Sequence, residues 1–221
     1  MTIFDRVLAF VPEGAAIGIG SGRAAEAFIK LLGDRVRAGF RVTAVPTSRA
    51  SADLAQGLGI PLVELGQGMP LAVTIDGADE VDPHLNLIKG YGRALVREKV
   101  VAAASKKLVI LIGPGKEVPV LGSRGKLPVE VVPFALPLCQ HRLKLLDCDP
   151  VVYAPDGRLF LTENGNAILD CHVGVIPRAG ELELQIRAIP GVVGTGLFLG
   201  LAHTVLVGDD RFELVSEKQR P

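Results

Sequence analysis

The sequence predicts an α/β fold: a doubly wound, mainly parallel sheet with an inserted small α+β domain. Three observations predict it. Short apolar runs alternate with stretches of helical periodicity over the first two-thirds of the 221 residues, which implies parallel strands joined by right-handed crossovers. Hydrophobic residues make up 48% of the chain while aromatics are 5% and Trp is absent, so the core is built from Val, Leu, Ile and Ala. From residue 127 the pattern becomes β-rich and is punctuated by Asp156-Gly157 and Asn164-Gly165, which are turn pairs.

Taken in order, AAIGIG at 15–20 reads as the first strand, and the amphipathic stretch from Arg23 to about Ala38 as the helix after it. RVTAVP at 41–46, a helix from about Arg49 to Leu58, PLVEL at 61–65 and LAVTID at 71–76 follow. A helix over about Arg93 to Ala104 and the strand KLVILIG at 107–113 complete this part. The small α+β unit reads as a strand at 127–134, a helix at about 137–146, strands at 151–157, 158–165 and 167–173, and a helix from Glu181 to Ile189. The apolar run at 196–209 is expected to return to the first sheet, leaving SEKQRP as a polar tail. The larger domain is thus expected at 1–127 together with 197–221, and the smaller at 128–196.

Composition narrows the function. Lys plus Arg and Asp plus Glu are 24 each, so the basic excess of nucleic-acid binders is missing and a small-molecule partner is expected. Cys139, Cys148 and Cys171 are too few for a disulfide framework. Cys139 with His141 and Cys171 with His172 lack finger-like spacing, so buried small side chains are the better reading and no metal is expected. No segment reaches the roughly 18 apolar residues of a membrane helix. MTIFDRVLAFVPEG lacks the pattern of a signal peptide. A soluble, cytoplasmic protein is expected.

GIGSGR at 18–23 sits where a strand turns into a helix, so its backbone N–H groups and the helix N-terminus can receive a phosphate. The competing reading is a tight turn with close strand–helix packing. The spacing is not that of a dinucleotide fingerprint, and the second strand ends in PTSR without an acidic residue for a ribose. Thr47 and Ser48 supply hydroxyls at that strand end, although either also suits a helix N-cap.

The densest charge lies in TIDGADEVDPHLNLIKGYGRALVREK at 74–99. LAVTID delivers Asp76 to the carboxyl edge of the sheet, with Asp79 in the loop beyond, where ligands of such sheets bind. Two carboxylates there can hydrogen-bond sugar hydroxyls and move protons, or simply make a turn. Lys89 ends an apolar stretch, and Gly90 and Gly92 open the next helix, a turn able to aim N–H groups at a developing oxyanion. Glu98, two turns into that helix, falls at the margin of its buried stripe, where desolvation raises a carboxylate's pKa toward that of a general base. The alternative is an i, i+4 partner on the helix or a solvated REK face.

Over nearly its whole length the chain resembles type A ribose-5-phosphate isomerases. The resemblance is carried by VPTSRAS at 45–51, DGADEVDPHLNLIKGYGRALVREKV at 76–100, VPVLG at 118–122, LPVEVVPFA at 127–135, TENGNAILDC at 162–171 and IPGVVGTGLFLGLA at 189–202. It implies a Rossmann-like sheet with a ferredoxin-like lid and interconversion of D-ribose 5-phosphate with D-ribulose 5-phosphate without cofactor or metal. It also implies a homodimer or homotetramer. Carried over by motif, Glu98 is the base, Asp76 assists ring opening, and Lys89 with the backbone of Gly90, Tyr91 and Gly92 stabilises an enediolate. Ser21, Gly22, Arg23 and Ala24, the strand end Asp76, Gly77, Ala78 and Asp79, and Lys116 complete the expected substrate contacts.

Three departures stand out. GSGRA replaces the family's hydroxyl-rich phosphate loop, keeping Ser21 but substituting Arg23 and Ala24. Arg93 stands where the family has a small residue, and Gly113 where it usually has an Asp preceding Lys116. These motivate two further expectations: a sugar-phosphate-binding protein or regulator with impaired turnover, or an isomerase of shifted sugar-phosphate specificity.

Overall fold

The computed structural model describes residues 1–220, which form two compact units: 1–78 with 97–116 and 201–220, and 79–96 with 117–200. Segments 79–96, 117–127 and 197–200, which the sequence reading assigns to the larger domain, pack with the second unit.

In the first unit the elements are α1 (Ile3–Leu8), β1 (Ala16–Ile19), α2 (Arg23–Arg37), β2 (Thr43–Pro46), α3 (Arg49–Gly57), the short α4 (Leu65–Gly68) and β3 (Thr74–Gly77). In the second, β4 (Glu80–Val81) and β5 (Leu87–Ile88) precede α5 (Leu95–Ala103), which crosses the unit boundary and leads to β6 (Leu108–Ile112) in the first. The second unit continues with β7 (Lys126–Val131), α6 (Leu136–Lys144), β8 (Asp149–Val152), β9 (Ala167–His172), α7 (Ala179–Arg187), β10 (Val192–Thr195) and β11 (Leu197–Phe198). Back in the first unit, β12 (Thr204–Gly208) and β13 (Leu214–Gln219) close the chain.

The first unit holds a six-stranded sheet of order β13-β12-β6-β3-β1-β2, parallel except for the antiparallel edge pair of β12 with β13. The central strand β6, LVILI, is buried at every position, the signature of a strand covered on both faces. Ala25, Phe28, Ile29 and Leu32 of α2 recur at helical spacing and are all fully buried; Phe28, Ile29 and Leu32 join Ile17, Ile19, Ile75 and Leu111 in one cluster. The order reverses between β1 and β3, since the chain proceeds from β1 outward to β2 but from β3 to β6 on the other side. That switch point opens a crevice beyond the strands' carboxyl ends.

The second unit is built on an antiparallel four-stranded sheet, β10-β7-β9-β8. Leu127, Val129 and Val131 of β7 share a core with Leu169 and Cys171 of β9, Cys139 and Leu143 of α6, and Ile186 of α7. A three-stranded sheet, β11-β5-β4, accompanies it.

Four sequence readings need correction. PLVEL forms only a bridge of Leu62 to Ala44 before α4, because Pro61 cannot donate to a ladder. RLFLTENG contributes one bridge, Leu161 to Ala167. The apolar run at 196–209 divides: Leu197–Phe198 pairs with β5, and only Thr204–Gly208 returns to the first sheet. Residues 216–219 of the stretch read as a polar tail belong to the edge strand β13. Among the described residues no helix is long and apolar enough to cross a membrane, and no cluster of His, Cys, Asp and Glu has metal-site geometry.

Candidate active site

In the first unit the glycine loop and the end of β3 meet at the switch point. A side chain at Gly20 would put its Cβ 2.0 Å from Asp76 Oδ1, so only glycine lets the loop approach so closely. Asp76, 1% exposed, accepts the Gly77 N–H at 2.7 Å and the Ser21 N–H at 3.3 Å through Oδ1.

Ser21 is tied into a hydroxyl chain. Its hydroxyl donates to Ser48 at 2.7 Å and lies 2.8 Å from Thr47 Oγ1, while Ser51 donates to Gly20 O at 2.6 Å and lies 3.0 Å from Ser48 Oγ. Each hydroxyl has one proton, so the order is Thr47 to Ser21 to Ser48 to Ser51 to the Gly20 carbonyl. Ser51 closes the VPTSRAS motif, but its role is not legible there, because its partner is a backbone carbonyl 31 positions away.

Gly22 caps α2 at φ 87 and provides no side-chain cap, so the first N–H groups of this helix point outward with Arg23, exposed, and Ala24, half-buried. Helix N-termini of this kind attract anions. Lys116, three residues after Gly113, donates from Nζ to Ala78 O at 2.5 Å.

Glu98 is buried, 3% exposed, so the solvated-face alternative fails. Helix α5 runs antiparallel to β3. Leu71 N–H bonds to Ala104 O, and Thr74 Oγ1 lies 3.4 Å from Val101 O and 2.6 Å from Ser105 Oγ. One turn before Val101, Glu98 is therefore carried toward the Asp76 end of β3.

The second unit holds Asp79, Lys89 and the glycine turn. Asp79 accepts the Tyr91 N–H at 3.0 Å through Oδ2 and donates its own N–H to Ile88 O at 2.9 Å. Lys89 is 3% exposed; its N–H bonds to Gly196 O at 2.9 Å, and its ammonium stands 5.4 Å from the centre of the Phe198 ring. Gly90, at φ 106, accepts the Arg93 N–H at 2.9 Å, and Gly92 is exposed. The Tyr91 hydroxyl donates to Lys126 O at 3.1 Å, and burial first, then the charge of Asp79, push it up to about 12.

Arg93 turns away from solvent: it forks onto Asp170, 2.5 and 2.9 Å away. Asp170 lies in the TENGNAILDC motif, but nothing in the sequence assigns it this partner. Glu80, from the same charged run, is fully buried and accepts the Gly122 and Arg124 N–H groups at 2.6 and 2.8 Å, a structural and not a chemical use.

Comparison with known proteins sets this chain among the aldose–ketose isomerases. The family model for ribose 5-phosphate isomerase A (phosphoriboisomerase A) matches residues 43–211. Ribose-5-phosphate isomerase A of Roseiflexus castenholzii is 48% identical over 93% of this chain and 90% of its own, and that of Gloeobacter violaceus 46% over 95% and 91%. The solved structure of the Methanocaldococcus jannaschii enzyme superposes with a TM-score of 0.92 at 35% identity, covering 99% of this chain and 96% of that one. A D-ribose-5-phosphate isomerase in complex with phospho-erythronic acid gives 0.93 at 32%, over 98% and 96%. The chain belongs to the ribose 5-phosphate isomerase A family, and its activity is that of a ribose-5-phosphate isomerase.

Proposed function

We propose that Glu98 is the base that carries a proton between C2 and C1 of open-chain ribose 5-phosphate. The carboxylate takes the C2 proton, a C1–C2 double bond forms, and the electrons move onto the C1 oxygen to give an enediolate. Transfer of the C2 hydroxyl proton to the C1 oxygen, with return of the abstracted proton to C1 as the C2 oxygen becomes the carbonyl, yields ribulose 5-phosphate with no co-reactant consumed. Asp76 assists ring opening and, with Gly77, Ala78 and Asp79, contacts sugar hydroxyls. Lys89 and the backbone of Gly90, Tyr91 and Gly92 stabilise the developing charge. Lys116 contacts the substrate from its position on Ala78.

The observation that carries this reading is the burial of two carboxylates, Asp76 and Glu98, 1% and 3% exposed, toward one end of β3. A carboxylate held out of bulk water is placed to exchange a proton with substrate rather than with solvent. For the phosphate, the hydroxyl chain leaves Ser21 without a spare proton, so the N–H groups opening α2 and the guanidinium of Arg23 are its receivers. The enzyme is a cytoplasmic homodimer or homotetramer. Phe134, 96% exposed beside exposed Val132 and Leu138, supports association, which covers apolar clusters of this kind.

The test is incubation of ribose 5-phosphate with enzyme in deuterated water without added metal, beside Glu98→Gln. Wild-type protein is expected to form ribulose 5-phosphate carrying deuterium at C1, and the variant to bind sugar phosphate without exchange. Exchange at the wild-type rate in the variant would remove Glu98 from the role.

A further inference from the structure

Arg93 is a bulky cation in a tight turn, at φ 68, a conformation that residues with a Cβ adopt reluctantly. Its guanidinium donates from Nη1 and Nη2 to the two oxygens of Asp170 at 2.5 and 2.9 Å and stacks 3.7 Å from the centre of the Tyr153 ring. Lys126 Nζ approaches Asp170 Oδ2 at 2.9 Å. Arg93 and Asp170 side chains are each 11% exposed, and Arg93 Nε is buried without a partner. A strained backbone, two desolvated charges and an orphaned donor are a poor recipe for stability. They are what a group fixing one conformation costs.

What it fixes follows from the sheet register. Pro128 pairs with Asp170, and Glu130 with Ile168, so these side chains share the face opposite to Leu127, Val129 and Val131, which pack into the core with α6 and α7. The segment 90–96 lies on that opposite face: a Cβ at Gly90 would stand 3.4 Å from Pro128, and one at Gly194 would stand 3.0 Å from Val96. Arg93 is the polar anchor between these two contacts. Beside it, Lys126 Nζ stands 4.7 Å from the centre of the Tyr91 ring, while the Tyr91 N–H reaches Asp79. One chain of contacts therefore runs from Asp170 through Arg93 and Lys126 to the turn and on to Asp79.

We propose that Arg93, gripped by Asp170, is a positioning residue that holds the Lys89–Gly92 turn in its substrate-receiving conformation. This inference rests on the assignment of that turn and Asp79 to substrate binding.

The experiment measures kcat, KM and thermal midpoint for Arg93→Ala, Arg93→Gly, Asp170→Asn, the double variant Arg93→Gly/Asp170→Asn, and Lys89→Ala. Glycine relieves the positive φ, so Arg93→Gly removes the grip without the strain. Both Arg93 variants are expected to lose roughly 10- to 100-fold in kcat with a smaller change in KM, because misplacement by about 1 Å costs that much in a preorganised site. The double variant is expected to be no slower than the slower single one. Wild-type kcat in folded Arg93→Gly, with Lys89→Ala inactive, would overturn the positioning role while leaving the site assignment standing. Wild-type kcat in Lys89→Ala would overturn both.

Discussion

The Ser21 N–H and the Gly77 N–H converge on one oxygen of Asp76, at 3.3 and 2.7 Å. The loop after β1 is thereby fastened to the carboxyl end of β3, and the fastening depends on the missing side chain of Gly20. In Gly20→Ala the added Cβ would fall 2.0 Å from Asp76 Oδ1 and 2.2 Å from its Cγ. Asp76 must move, since β3 is paired on both sides. We expect a loss of about 1–3 kcal/mol in unfolding free energy from overpacking, together with a fall in kcat/KM of at least about tenfold, or about 1.4 kcal/mol of transition-state stabilisation. Urea unfolding and steady-state kinetics on one preparation check both.

Asp79 invites a graded test. Its Oδ2 receives the Tyr91 N–H at 3.0 Å, so Asp79→Ala removes both a sugar contact and the acceptor that orients the turn. Asp79→Asn keeps an acceptor of the same shape. The asparagine variant is expected to retain about ten times more kcat/KM than the alanine variant, a difference of about 1.4 kcal/mol. Equal activities would mean that orientation of the turn contributes nothing.

Glu80 bears on stability instead. Its two oxygens take the Gly122 and Arg124 N–H groups at 2.6 and 2.8 Å from a fully buried position. Glu80→Ala strands the Gly122 N–H in the interior, at a cost of about 2–4 kcal/mol including the lost packing. Glu80→Gln turns an NH2 toward one of the two donors and should lie between alanine and wild type. Denaturant midpoints order the three proteins.

The legibility of this chain divides along the range of its interactions. The strands β1, β2, β3 and β6 and the helices α2, α3 and α5 read correctly because each of these strands is a local apolar run and each helix has its own stripe. The GSGRA loop and the Asp76 strand end are legible for the same reason. PLVEL misleads because Pro61 vetoes a ladder that its neighbours suit. The division of the run at 196–209 depends on Leu197 pairing with Ile88, a partner more than a hundred residues away. The roles of Ser51 and Asp170 stay hidden for that reason too, although both lie in stretches that carry the family resemblance: their partners, Gly20 and Arg93, are met only in the fold. The direction in which Arg93 points was undecidable from its neighbours, which are glycine and alanine.

Acid should reveal the Asp170 cluster. Desolvation by itself would raise its carboxyl, but hydrogen bonds from Arg93 and Lys126 outweigh it and hold the carboxyl below the ordinary range. A carboxylate whose pKa is lower folded than unfolded stabilises the fold above its unfolded value, about 3.9, and loses that contribution as pH falls through the lower folded one. Asp170→Asn cannot titrate and leaves Arg93 and Lys126 facing an uncharged amide. At pH 7 it is expected to be about 3 kcal/mol less stable than wild type, as for a broken buried pair. The gap should stay constant down to about pH 5 and narrow below about pH 4. Urea unfolding of both proteins at half-unit steps from pH 7 to pH 3 measures it. A gap that is the same at both ends would show that the charge on Asp170 contributes nothing and that only the shape of its side chain matters.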